Sequence, residues 1–145
     1  MKSASISELQ HFFEGYAECI DRNDARGIAQ YFSVPCLMVS DDRSSAFTDL
    51  NAVEVLFLQG FSFLKKHGIV SAKPDVRNRR FITEKILQVA IQWSYFGADG
   101  HLLYACDYLY MLHHKEQAGW RIETSISVNE KERMEAFLNA ARTTL

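Results

Sequence analysis

The sequence predicts an α+β fold: a cone-shaped, curved antiparallel sheet with three N-terminal helices packed on its concave face and a short C-terminal helix. Three observations predict it. Apolar residues recur at helical spacing through the first half of the chain. Two-residue alternation takes over from Val76 to Val128. Helical spacing returns after Asn129. No linker, internal repeat or low-complexity segment interrupts the 145 residues, which read as one domain spanning 1–145.

The elements follow in order. Ser5 and Glu8 have capping-box spacing, and Ile6, Leu9, Phe13, Tyr16, Ala17 and Ile20 form a helical stripe behind them. Asn23-Asp24 breaks that helix, and Asp24 caps a second one carrying Ala25, Ile28, Ala29 and Phe32. Pro35 cannot continue a helix and pushes Val34 to an extended shape, so Cys36–Val39 reads as a short buried strand. Asp41 to Ser45 reads as a polar turn. A third helix runs from about Asp49 with Leu50, Val53, Leu56, Phe57, Phe61 and Leu64 on its buried face, and Lys65 to Gly68 end it. Strands are then expected over Val76–Thr83, Lys85–Phe96, Leu102–His114 and Trp120–Val128, with Asp99-Gly100 as a hairpin signal. Asn129 and Glu132 have cap spacing for the last helix. A curved sheet closed by helices encloses a cone whose wide end can hold a ligand.

Composition excludes several classes of function. A net charge of −2 lacks the basic footprint that nucleic acid requires. No apolar run approaches a membrane span, and MKSASISELQ has no apolar signal core, so the chain reads as cytoplasmic. Cys19, Cys36 and Cys106 are scattered in apolar surroundings and read as buried reduced thiols, not as a disulfide or zinc site. His113 and His114 are neighbours on a strand, point to opposite faces and cannot share a metal, so no metal or cofactor is expected.

Strand parity selects the inward residues. Leu87, Val89, Ile91, Trp93 and Tyr95 share the inward face of one strand, and Trp120, Ile122, Thr124, Ile126 and Val128 that of another. The strand from Leu102 is apolar on both faces. The favoured reading turns Leu103, Ala105, Asp107, Leu109 and Met111 inward. Tyr104, Tyr108 and Tyr110 then lie on the outer sheet face, where they would join two copies as a homodimer. The opposite parity buries the tyrosines and exposes Asp107.

The segment from Tyr16 through Asp24, Gly27 and Ile28 to Phe32, with the GWRI ending at Gly119 to Ile122, resembles the nuclear transport factor 2-like superfamily, the cystatin-like α+β cone. That superfamily includes ketosteroid isomerase, scytalone dehydratase and SnoaL-like polyketide cyclases, and also binding or assembly modules without activity. The resemblance implies an oxyanion-binding role for Tyr16 and a protonated-acid or acid/base role for Asp107. It puts the general base at Ser40, one residue before Asp41 and two before Asp42.

The candidate chemistry follows. A carboxyl group among Leu, Met and Trp is costly to ionise, so Asp107 could donate a hydrogen bond beside Tyr16. Ionised, it could abstract a proton next to a carbonyl, as could Asp41. Trp93, Tyr95, Phe57, Phe61, Leu109 and Ile122 would line a site for a small apolar ligand. A structural alternative stands beside this: Tyr16 bonds a backbone carbonyl in a filled cone, and Asp107 pairs with Arg77, Arg79, Arg80 or a histidine. The expected function is therefore small-molecule binding with cofactor-free isomerase, dehydratase or cyclase chemistry on a carbonyl compound, or else a non-catalytic binding or assembly module.

Overall fold

The computed structural model describes residues 4–143 and has the α+β architecture that the sequence predicts. The order is α1 (Ile6–Asp21), α2 (Ala25–Ala29), β1 (Phe32–Val39), β2 (Ser44–Phe47), α3 (Leu50–Lys66), β3 (Ile69–Phe81), β4 (Ile86–Gly97), β5 (Leu102–Lys115), β6 (Gly119–Ser127) and α4 (Glu130–Thr143). Among the described residues, no helix is long and apolar enough to cross a membrane.

The helix starts form as their caps require. Ser5 Oγ accepts from the Glu8 N–H (3.1 Å) and the Ser5 N–H donates to Glu8 Oε1 (3.4 Å), a closed capping box. Asp24 Oδ1 accepts from the Gly27 N–H (2.9 Å) and Asp49 Oδ1 from the Ala52 N–H (2.8 Å). Leu9, Phe13, Tyr16 and Ala17 are the buried stripe of α1.

Three strands differ from the sequence expectation. β1 begins at Phe32, not Cys36, so Phe32 belongs to the strand and not to the second helix. The turn after β1 is only four residues, closed by the Ser40 N–H on the Arg43 carbonyl (2.8 Å), and Ser44 already starts β2. β3 begins at Ile69, not Val76. Pro74 and alternating charges hide this stretch, and they are tolerated because β3 is an edge strand. Side chains of α1 satisfy part of that edge. Gln10 donates to the Pro74 carbonyl (2.8 Å) and accepts from the Val76 N–H (2.9 Å), while Asp21 accepts from the Ala72 N–H (3.0 Å).

The sheet order is β2-β1-β6-β5-β4-β3, antiparallel throughout except for the parallel β1–β6 pair. On β4, Leu87, Val89, Ile91, Trp93 and Tyr95 face inward as expected. On β5 the favoured parity is overturned: Tyr104, Cys106, Tyr110 and Leu112 are 8%, 1%, 2% and 0% exposed. Register explains it. Trp93 pairs with Cys106, Tyr95 with Tyr104, Ile91 with Tyr108 and Val89 with Tyr110. Directly opposed residues share a face, so the apolar face of β4 carries the tyrosines inward with it. The outer-face tyrosine stripe, and a dimer contact built on Tyr104, Tyr108 and Tyr110, do not exist in this geometry.

β6 brings a second reversal. Its pairing with β5 slips between Met111↔Thr124 and Leu112↔Ile122, a bulge at Glu123. Ile122 is fully buried before the bulge, but beyond it Ser125 is the buried residue. The inward face changes from even to odd positions, which simple alternation cannot anticipate.

Candidate functional site

α3 and α4 close the inward face of the sheet without filling it. A cavity of about 430 Å³ remains, within the roughly 300–1,000 Å³ range of ligand sites. Tyr16 of α1, Phe57 and Phe61 of α3, Trp93 and Tyr95 of β4, and Tyr104, Tyr108 and Tyr110 of β5 supply its aromatic walls. Ser125 of β6 and Glu130 and Met134 of α4 complete one side.

Trp93 Nε1 donates to the Tyr110 hydroxyl at 2.8 Å. The Tyr110 ring packs edge-on against Tyr16, with centroids 6.4 Å apart. The Tyr16 ring sits between Trp93 (centroids 5.5 Å apart) and Phe57 (6.1 Å). Burial above all pushes this phenol far above its ordinary range; the Tyr110 hydroxyl opposes and the Glu130 charge adds. Tyr16 is therefore a neutral donor.

The carboxylate in the cavity is Glu130, the first residue of α4. Tyr108 donates to its Oε1 (2.5 Å), while Tyr95 (3.3 Å) and the Cys106 thiol (3.8 Å) donate to its Oε2. Burial and then the Glu130 charge keep the Cys106 thiol protonated. The helix N-terminus favours an anion at this position. Asn129, just before it, is tied to β5: its Nδ2 donates to Asp107 Oδ2 (2.9 Å) and its Oδ1 accepts from the Asp107 N–H (2.8 Å). The Val128 N–H also donates to the Asp107 carbonyl (3.0 Å). Asp107 thus anchors the turn that delivers Glu130 to the cavity.

The structure sorts the sequence candidates. Tyr16, Trp93, Tyr95, Phe57 and Phe61 come together in one cavity. Asp107 does not join them, because it lies on the other face of β5 and binds Asn129 rather than facing Tyr16. Among the described residues it makes no ion pair with an arginine either: Arg77 binds Asp75 and Gln92. Asp41 lies exposed in the β1–β2 turn, away from the cavity walls, and Asp42 pairs with Lys131 (2.5 Å). Leu109 shares the outer parity of Asp107, and Ile122 is packed in the core without lining the cavity. Glu130 was missed. Its signal is a carboxylate directly after a cap residue, at the start of the helix that closes the sheet.

Free thiols at Cys19, Cys36 and Cys106 are all buried. His113 holds Glu123 (3.0 Å), and His101 is exposed beside Asp99. Among the described residues, no three His, Cys, Asp or Glu side chains group as a metal site.

A curved sheet with a helix-lined aromatic cavity is the cystatin-like cone. Residues 7–131 match the family model of the NTF2-like proteins described as DUF6841, and the chain belongs to that family. No curated protein matches the chain. Among solved structures it is similar to a cystatin-like domain of unknown function from Nostoc punctiforme, with TM-score 0.72 and 16% identity over 100% of this chain and 89% of that one. It is also similar to a ketosteroid isomerase-like protein from Erwinia carotovora atroseptica (TM-score 0.62, 11% identity, 85% and 94% covered). The beta subunit of benzoate 1,2-dioxygenase from Burkholderia mallei is similar as well (TM-score 0.62, 13% identity, 88% and 92% covered). At these identities the likeness is one of fold.

Proposed function

We propose that the cone binds a small, largely apolar carbonyl compound and performs cofactor-free acid/base chemistry on it. The observation that carries this reading is the Glu130 carboxylate facing a 430 Å³ aromatic cavity that also holds the neutral phenol of Tyr16. Glu130 takes a proton from the carbon next to the carbonyl, the electron pair moves to the carbonyl oxygen, and Tyr16 donates to the enolate. Returning the proton to another carbon completes an isomerisation without a co-reactant. A donor aimed at such an oxyanion contributes roughly 3 kcal/mol to lowering the barrier.

The test is a panel of carbonyl and polycyclic compounds assayed for binding by native mass spectrometry and for exchange of the α-hydrogen in deuterated water. Glu130→Gln should bind the same compounds with turnover lower by roughly 10²–10⁴. Tyr16→Phe should lose roughly 10²–10³. Binding without exchange in the wild type would leave a binding module and remove the enzyme.

One observation favours that second reading. Both Glu130 oxygens already accept hydrogen bonds from the protein, as they would in a purely structural network. In a binding or assembly role, two copies would meet through the outer sheet face around Leu109 and Met111, which sedimentation of the wild type against Leu109→Lys tests.

A further inference from the structure

We infer that the ligand of this cavity is a cation, a protonated or quaternary amine on an apolar body. The inference rests on the small-molecule reading above and adds the ligand's charge. The cavity walls contain one carboxylate, Glu130, and no Lys, Arg or His among the described residues. The groups holding Glu130 are two phenols and a thiol, which orient a negative charge without cancelling it. After burial, that charge is the next factor pushing up the hydroxyls of Tyr95, Tyr104 and Tyr108, so its field reaches the walls.

Aromatic rings dominate those walls, and a ring face carries negative potential of its own. An anion would meet the carboxylate and the rings together, and a neutral molecule would leave the carboxylate uncompensated. Two cations line the adjoining outer cleft, where Lys131 is held by Asp42 (2.5 Å) and Arg43 is exposed. A positive charge on the substrate also acidifies a neighbouring C–H bond, so it is compatible with acid/base work at Glu130.

Three probes of nearly one shape test this: benzyltrimethylammonium, its neutral carbon isostere neopentylbenzene, and phenylmethanesulfonate. Affinities are measured by ligand-observed NMR on the wild-type chain, a comparison that needs no variant to fold. The ammonium should bind roughly tenfold or more tighter than the isostere, and the sulfonate weakest. In Glu130→Gln the preference for the ammonium should fall toward parity, while Tyr16→Phe should keep it. If the isostere or the sulfonate binds as well as the ammonium, the cation assignment is overturned and the small-molecule reading stands. If no probe binds, both are overturned. A preference that survives in folded Glu130→Gln overturns the role of the carboxylate.

Discussion

Tyr110 and Tyr16 have unequal hydrogen-bonding duties, and their removal should differ accordingly. Tyr110→Phe removes the acceptor of the buried Trp93 N–H. A stranded buried donor costs about 1–3 kcal/mol. Tyr16→Phe strands no such donor, so a smaller loss of about 1 kcal/mol is expected. Urea unfolding of both variants checks the order, and a larger loss for Tyr16→Phe would contradict the weight given to the Trp93–Tyr110 bond. Asp107 calls for a different measurement, because its proposed work is to hold Asn129. A double-mutant cycle of Asp107→Ala with Asn129→Ala should show a coupling of about 0.5–3 kcal/mol, and additivity would break the link between the two residues.

Two helix glycines behave oppositely because of what surrounds them. In α3, a Cβ at Gly60 meets nothing within 4 Å. Gly60→Ala should stabilise the protein by about 0.5–1 kcal/mol, since it removes the backbone entropy of glycine from a helix interior. At Gly27 in α2, a Cβ would overlap the Asp24 carboxylate that caps the same helix. Gly27→Ala should displace that cap and destabilise by about 1 kcal/mol. Thermal melts of the pair should move in opposite directions. α3 buries only Val53 and Phe61, which suits an element that bounds a cavity rather than a solid core.

For the molecule as a whole, the phenols concentrate the response to pH. Burial is the leading cause that raises Tyr16, Tyr95, Tyr104, Tyr108 and Tyr110 above the ordinary value of 10.0. A folded-state value above the unfolded one means that the native state holds its protons longer. The associated stability is intact below pH 10 and falls as pH rises further, by about 1.4 kcal/mol per pH unit for each phenol. Five acting together make alkaline unfolding steep. Phenolate absorbance should therefore appear together with loss of the tertiary circular dichroism signal, and early titration of native tyrosines near pH 10 would contradict the packed cone.

Caps, periodicity and turn residues are local, so Ser5, Asp24, Asp49 and Asp99-Gly100 placed most elements directly from sequence. The α+β class and the inward face of β4 followed from the same short-range rules. Parity on β5 was not legible, because both faces are apolar and only pairing with β4 decides which turns inward. β6 resisted for a related reason, since a bulge at Glu123 reverses its faces partway along. Tyr16, Trp93, Tyr95, Phe57 and Phe61 were found from the stripes they belong to. Glu130 was not, because no local pattern distinguishes a carboxylate on an amphipathic helix from a solvated one. Only the docking of Asn129 onto Asp107 brings it to the cavity. The sequence by itself determined most of the elements and the aromatic lining contributed by α1, α3 and β4. Tertiary pairing decided which carboxylate meets that lining, because long-range register sets the direction a side chain faces.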